Sequence, residues 1–217
     1  MNFLVLPGVY VPQDDTELLA AALQEEAFPP RARVLDVGTG SGALALAAAR
    51  RGAEVTAVDV SRRAVWTARL NAWVTRLPVR IMRGNLFDPV QGQTYDLILA
   101  NPPYVPAPYA RRGPRGRSRA WDAGHDGRLL LDRICRDAPP LLRSGGVLLL
   151  VQSALSDTER SLQFLREAGL KAAVVRRRRI AFGPVLRSRE GWLRRRGLLA
   201  ASDEREELVV VRAERVP

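Results

Sequence analysis

Short apolar runs alternate along this chain with segments whose apolar residues recur at helical spacing. Residues 16–28 (TELLAAALQEEAF) carry leucines and alanines on one helical face, with Asp14 or Asp15 placed to cap the start. Residues 33–37 (RVLDV) form a short apolar run entering a glycine cluster, and 43–51 then read as a helix closed by Gly52. The pattern predicts strands over 54–58, 79–82 and 95–100, the last ending at Asn101-Pro102-Pro103, and a helix over 62–77 stopped by Pro78. Beyond a Pro/Arg-rich loop, it predicts a helix over 128–138, a strand over 147–152, and a capping box at Ser156–Glu159 opening a helix that stops at Gly169. Two last strands are expected over 171–180 and 207–212. Strands alternating with helices from end to end predict one α/β domain over 1–217, a doubly wound sheet with helices on both faces. Within it, 1–30 is a helical lead-in, 103–121 an Arg/Pro-rich loop, and 182–205 a basic insertion between the last two strands.

Composition changes this picture little. Of 217 residues, 47% are hydrophobic and 26% charged, as in ordinary globular proteins. One cysteine excludes a disulfide framework or a thiolate cluster, and one histidine excludes a multi-His site, so no metal is expected. The start (MNFLVLPGVYVPQDD) lacks a basic n-region and its apolar run is broken by Pro7 and Gly8, which argues against a signal peptide. No run approaches the ~18 apolar residues of a membrane span. A cytoplasmic protein is the expectation. Cys135 reads as a small buried hydrophobe, Trp66 and Trp73 as core, His125 as a loop residue, and Trp192 as a candidate partner contact.

Charge changes it more. The formal net charge is +11, yet residues 1–110 hold ten arginines and ten carboxylates, so the excess lies wholly in 111–217. It concentrates in Arg111–Arg119, five arginines in nine residues, and in 171–196, where ten bases face Glu190 alone. Two readings stay open: an electrostatic footprint for RNA, a ribosome or an acidic partner, or arginine-rich composition carried on a solvated surface.

The chemistry is concentrated at strand ends. Gly38, Gly40 and Gly42 follow a strand and open a helix, allowing close backbone approach to a ligand at a helix N-terminus. Their G-x-G-x-G spacing differs from the dinucleotide fingerprint. Asp36 just before them would repel a pyrophosphate and suits a ligand with a cationic amino-acid end. Asp59, ending the second strand, can accept from both hydroxyls of a ribose. An aminoacyl group joined to a ribose points to S-adenosyl-L-methionine. Asn101-Pro102-Pro103-Tyr104 ends the fourth strand. The prolines restrict the backbone, so that the Asn101 side-chain oxygen and the Pro102 carbonyl can both accept from one planar NH2, with Tyr104 against its face. Holding both hydrogens aims the nitrogen lone pair at a methyl donor without any strong base.

Residues 33–60 resemble the first two motifs of class I methyltransferases. The resemblance implies a Rossmann-like, seven-stranded and mostly parallel sheet, with Gly38 near the methionine portion, Asp36 on its amino group, and Asp59 and Val60 at the ribose. Asn85 and Leu86 would face the adenine, although that superfamily commonly has an acid where Asn85 stands. Two flanks narrow the likeness: residues 9–16 (VYVPQDDT) and 120–127 (AWDAGHDG) resemble segments of the release-factor glutamine N5-methyltransferases, in particular a short branch without the N-terminal helical domain. That likeness implies methylation of a glutamine amide in a protein such as a translation release factor, with Thr16 in the cofactor site and Gly124, Asp126 and Gly127 shaping a substrate-side loop. It also implies a small activator subunit as one partner; otherwise a monomer is expected. The Arg-rich segments 111–119 and 176–196 have no counterpart in that branch. Alternatives are a nucleic-acid adenine N6-methyltransferase using the same tetrapeptide, and an RNA- or ribosome-binding protein that keeps the fold as a scaffold.

Overall fold

In the computed structural model, which describes residues 4–108 and 123–216, the strand and helix patterns meet around one seven-stranded sheet. The elements are α1 (Asp14–Glu25), β1 (Arg33–Val37), α2 (Ala43–Arg50), β2 (Glu54–Asp59), α3 (Arg62–Thr75), β3 (Val79–Arg83), β4 (Tyr95–Ala100), α4 (Leu131–Asp137), β5 (Leu142–Ser153), α5 (Thr158–Glu167), β6 (Leu170–Ala181), α6 (Pro184–Arg195) and β7 (Arg205–Arg215). The strand order is β3-β2-β1-β4-β5-β7-β6, parallel except for β7, which runs antiparallel to both neighbours. The direction of winding reverses at β1, which lies between β2 and β4. That reversal leaves a crevice at the carboxyl ends of the strands.

Period-two alternation divides the strand residues between two cores. Leu35, Val37, Ile98, Leu148 and Leu150 pack with Leu131, Ile134, Leu162 and Leu165 under α4 and α5. Val34, Leu97, Leu99, Val147 and Leu149 face Leu19, Leu23, Leu44 and Ala48 under α1 and α2. Central strands buried on both faces explain why β1 and β4 read as continuous apolar runs. Among the described residues no helix is long and apolar enough to cross a membrane.

Four local expectations are corrected. Trp66 and Trp73 are 64% and 77% exposed, not core. The inward face of α3 is instead made of Ala64, Ala68 and Ala72, because a side chain at Gly42 would already meet Ala68 Cβ at 3.2 Å. The helices approach too closely there for an indole. The first helix is capped by neither predicted aspartate: its N-cap is Gln13, and Asp15 turns inward, 4% exposed. The cap of α5 is Asp157, with left-handed φ +54° and its carboxylate accepting from Arg160 N–H at 3.0 Å, so Ser156 is free to bond elsewhere. Finally, 182–205 contains α6. Phe182, Leu186, Leu193 and Leu199 form a third small core with Val105, and Trp192, half-buried, packs against it. The segment is anchored structure.

Leu193→Ala is therefore expected to cost about 2–5 kcal/mol, the range for truncating a fully buried leucine. Urea unfolding of the purified chain measures it; a change under about 0.5 kcal/mol would mean α6 is detachable.

Candidate active site

A cleft of about 1210 Å³ opens at the carboxyl ends of β1, β2, β3 and β4. That exceeds the ~300–1,000 Å³ typical of a small-ligand pocket, leaving room for a cofactor and a substrate side chain together. Gly38 and Gly40 border it in left-handed conformations, φ +75° and +56°, which only glycine adopts without strain. The loop is tied to the next strand by the N–H groups of Gly38 and Thr39, both donating to Val58 O at 2.8 and 3.0 Å.

Asp59 and Val60 border the cleft after β2. One Asp59 oxygen accepts from Gly40 N–H at 2.9 Å and the other from Ser61 N–H at 2.8 Å. These bonds fix the carboxylate while leaving a lone pair on each oxygen for a diol, though burial raises its pKa. Asn85 and Leu86 border the cleft after β3; Leu86 holds φ +50°, a strained position for a leucine, and Phe87 beside it is buried. Arg133 reaches the Asn85 side-chain oxygen at 3.4 Å.

Asp36 and Gly42 do not border the cleft. Asp36 lies behind the loop, 1% exposed, with Oδ2 accepting from Thr39 Oγ at 2.5 Å and from Ala45 N–H at 3.1 Å. It braces the loop and the start of α2, while Oδ1 stays unpartnered. Burial pushes its pKa up to about 6 against the lowering effect of those two donors.

After β4, Asn101, Pro102, Pro103 and Tyr104 line the cleft opposite Thr16 of α1. Asn101 Nδ2 donates to Thr16 Oγ at 3.2 Å, and that hydroxyl donates to Asp15 Oδ1 at 3.1 Å. The direction of this relay orients the Asn101 amide, leaving Oδ1 as the acceptor. Tyr10 donates to both Asp15 oxygens at 2.8 Å, and Tyr104 donates to Oδ2 at 3.0 Å. Burial, with the charge of Asp15, raises both phenol pKa values, so both hydroxyls remain donors. Behind the tetrapeptide, Ser156 Oγ donates to Tyr104 O at 2.6 Å, and a Cβ on Gly127 would meet that carbonyl at 2.3 Å. The arms of the long loop are joined at their base: Ala107 N–H donates to Gly124 O at 2.8 Å and Ala123 N–H to Val105 O at 3.1 Å. Gly124, Asp126 and Gly127 thus brace this corner without bordering the cleft.

Among the lining residues that the sequence does not single out, three carry titratable groups at the tetrapeptide end: Tyr10, Asp15 and Glu206. Tyr10 and Asp15 lie within the flank that resembles a family motif, where Asp15 reads as a cap. Glu206 of β7 carried no signal beyond being one more charge near a strand. His125 is exposed, with its ring 6.4 Å from that of Trp192, and Cys135 is buried. The segment 111–119 lies outside the described residues.

The family model described as "Methyltransferase small domain" matches residues 1–110. A Methanocaldococcus jannaschii protein bearing the name "Putative protein N5-glutamine methyltransferase" is 33% identical over 177 residues, 81% of this chain and 88% of that one. The release factor glutamine methyltransferase of Geobacter sulfurreducens is 35% identical over 176 residues; this chain spans 61% of its length. Among solved structures, the E. cuniculi Mtq2–Trm112 complex, responsible for methylating the eRF1 translation termination factor, superposes with a TM-score of 0.67 at 22% identity, covering 96% of this chain and 99% of that one.

Asp59→Ala is expected to weaken S-adenosyl-L-methionine binding at least tenfold, since a hydrogen bond to a charged group contributes about 1.5–3 kcal/mol. Titration calorimetry reads this directly; unchanged affinity would mean the ribose is held elsewhere.

Proposed function

The chain belongs to the methyltransferase small domain family and is an S-adenosyl-L-methionine-dependent methyltransferase, and from that premise we propose that it methylates the side-chain amide of a glutamine in a protein, a translation release factor. The observation that carries this reading is the orientation of Asn101. With Nδ2 committed to Thr16, Oδ1 and the Pro102 carbonyl are two acceptors at the end of β4. A primary amide supplies two donors in one plane, the geometry these acceptors match.

The bound cofactor supplies an electrophilic methyl on a sulfonium. The protein's part is positioning: both N–H bonds of the target amide are held, so its nitrogen presents a face to that methyl. Pro102 and Pro103 keep the acceptors from rotating, and the Asp15 relay keeps Asn101 from flipping. Asp59 holds the ribose, Gly38 and Gly40 admit the methionine portion, and Asn85 and Leu86 border the adenine in this reading. One domain spanning the chain carries the activity.

A protein substrate is favoured over nucleic acid by the charge around the cleft. Asp15 and Glu206, both buried, border its tetrapeptide end and would repel phosphates there, while its basic lining, Arg62, Arg63 and Arg83, stands at the start of α3 and the end of β3. Outside it, the arginines of 176–179 are paired with Glu25, Glu207, Asp14 and Glu17, and Arg194 with Glu190. These pairs tie down the arginine run locally but leave the net charge of +11 unchanged. An activator subunit, in this reading, would sit on α3, where exposed Trp66, Leu70, Trp73 and Val74 form an apolar stripe beside edge strand β3.

Labelled S-adenosyl-L-methionine and a recombinant release factor test the proposal. We expect incorporation at a glutamine, located by mass spectrometry, and a loss of about 100-fold or more in Asn101→Ala. Label appearing in RNA, or full incorporation by the variant, would overturn it.

A further inference from the structure

The wall of the cleft facing the tetrapeptide is built by the carboxyl end of β6, the start of α6 and the start of β7, with Ile180, Val185, Glu206 and Leu208 lining it. Three of the four are apolar. Glu206 is 5% exposed, lies opposite Ile180 in the β6–β7 register, and has an Oε1 that meets no hydrogen-bond partner. The two phenols facing it are committed elsewhere. Tyr10 and Tyr104 both spend their hydroxyls on Asp15, Asp15 is itself an anion, and Ser153 of β5 is the hydroxyl that eases the carboxyl from behind. Burial first, and the charge of Asp15 second, push the Glu206 pKa up to about 7 against the Ser153 bond. A carboxyl group buried without a partner opposes folding unless a ligand completes its bonding.

The donor it lacks can be identified by elimination, and this step rests on the glutamine reading above. The two hydrogens of the target amide go to Asn101 Oδ1 and Pro102 O. The next donors on a peptide entering the cleft are main-chain N–H groups. We propose that Glu206 is a substrate-recognition residue, its Oε1 accepting a hydrogen bond from a backbone N–H of the segment that carries the methylated glutamine. It binds the peptide in the ground state and the transition state alike, and takes no part in bond making. Its position, 5% exposed on the cleft wall, favours a segment slender enough to bring its backbone inside.

The test uses the full chain, a release-factor protein substrate, and the variants Glu206→Gln and Glu206→Ala. Because the interaction is uniform across the reaction, KM should rise about 10- to 100-fold in Glu206→Ala while kcat changes less than about threefold. The wild-type kcat/KM should fall as pH drops below about 7, where the carboxyl becomes protonated and loses its charge-assisted acceptor. In Glu206→Gln, which keeps the shape and a neutral acceptor, that limb should vanish. Unchanged KM and pH profile in Glu206→Gln, or a fall in kcat with KM fixed in either variant, overturns the inference alone. A wild-type chain that binds S-adenosyl-L-methionine yet methylates no glutamine overturns the reading beneath it and this inference together.

Discussion

A single buried carboxylate joins the two ends of the corner where the cleft meets the Asn-Pro-Pro-Tyr segment. Asp15, in the first turn of α1, accepts from the hydroxyls of Tyr10, Thr16 and Tyr104, and through Thr16 it determines which way the Asn101 amide points. The lead-in before β1 is thereby coupled to the end of β4, 85 residues along the chain from Thr16. Each oxygen of a carboxylate has two lone pairs, so several donors can converge on one anion, and a network satisfied this fully holds its members in one arrangement. The tetrapeptide has rigid prolines, but its asparagine side chain is rigid only because of what lies behind it.

The sheet and the strand-end positions of the site were legible in the sequence because they follow from local rules. Glycines after an apolar run, an acid ending the next strand and prolines ending the fourth are each dictated by their own stretch of backbone. What was not legible depends on pairs distant in sequence. The apparent core tryptophans of α3 are turned outward by the close approach at Gly42, a contact with Ala68 that no periodicity reveals. The spacing of Asp36 does not reveal that its Oδ2 also ties the loop to Thr39 and Ala45. Asp15 has the right chemistry for a cap, yet the convergence of two tyrosines gives it another task. Helix α6 was hidden by its arginines; the apolar positions Leu186 and Leu193 lie one heptad apart, but they stand among too many charges to mark a helix by pattern alone.

The same arginines show why net charge is a poor guide to partners. The +11 of the sequence survives any internal pairing, but it is not concentrated where the sequence suggests: the run along β6 meets carboxylates on α1 and β7 at close range. Exposed pairs of this kind contribute little to stability, of order 0–1 kcal/mol each. They matter here by cancelling field: a strand edge that is strongly positive in one dimension is nearly neutral once the neighbouring helix is in place.

The joined base of the long loop has a consequence for how such a protein can vary. Main-chain bonds between Val105 and Ala123 and between Ala107 and Gly124 close the loop at its feet, and Gly127 seats those feet against the Tyr104 carbonyl with no space for a larger residue. The entropy of closing a loop grows only slowly with its length, by about 0.6 kcal/mol per doubling. Residues could therefore be gained or lost between the feet without moving the tetrapeptide Asn101–Tyr104. New surfaces could thus be grafted beside the cleft at almost no cost to the scaffold.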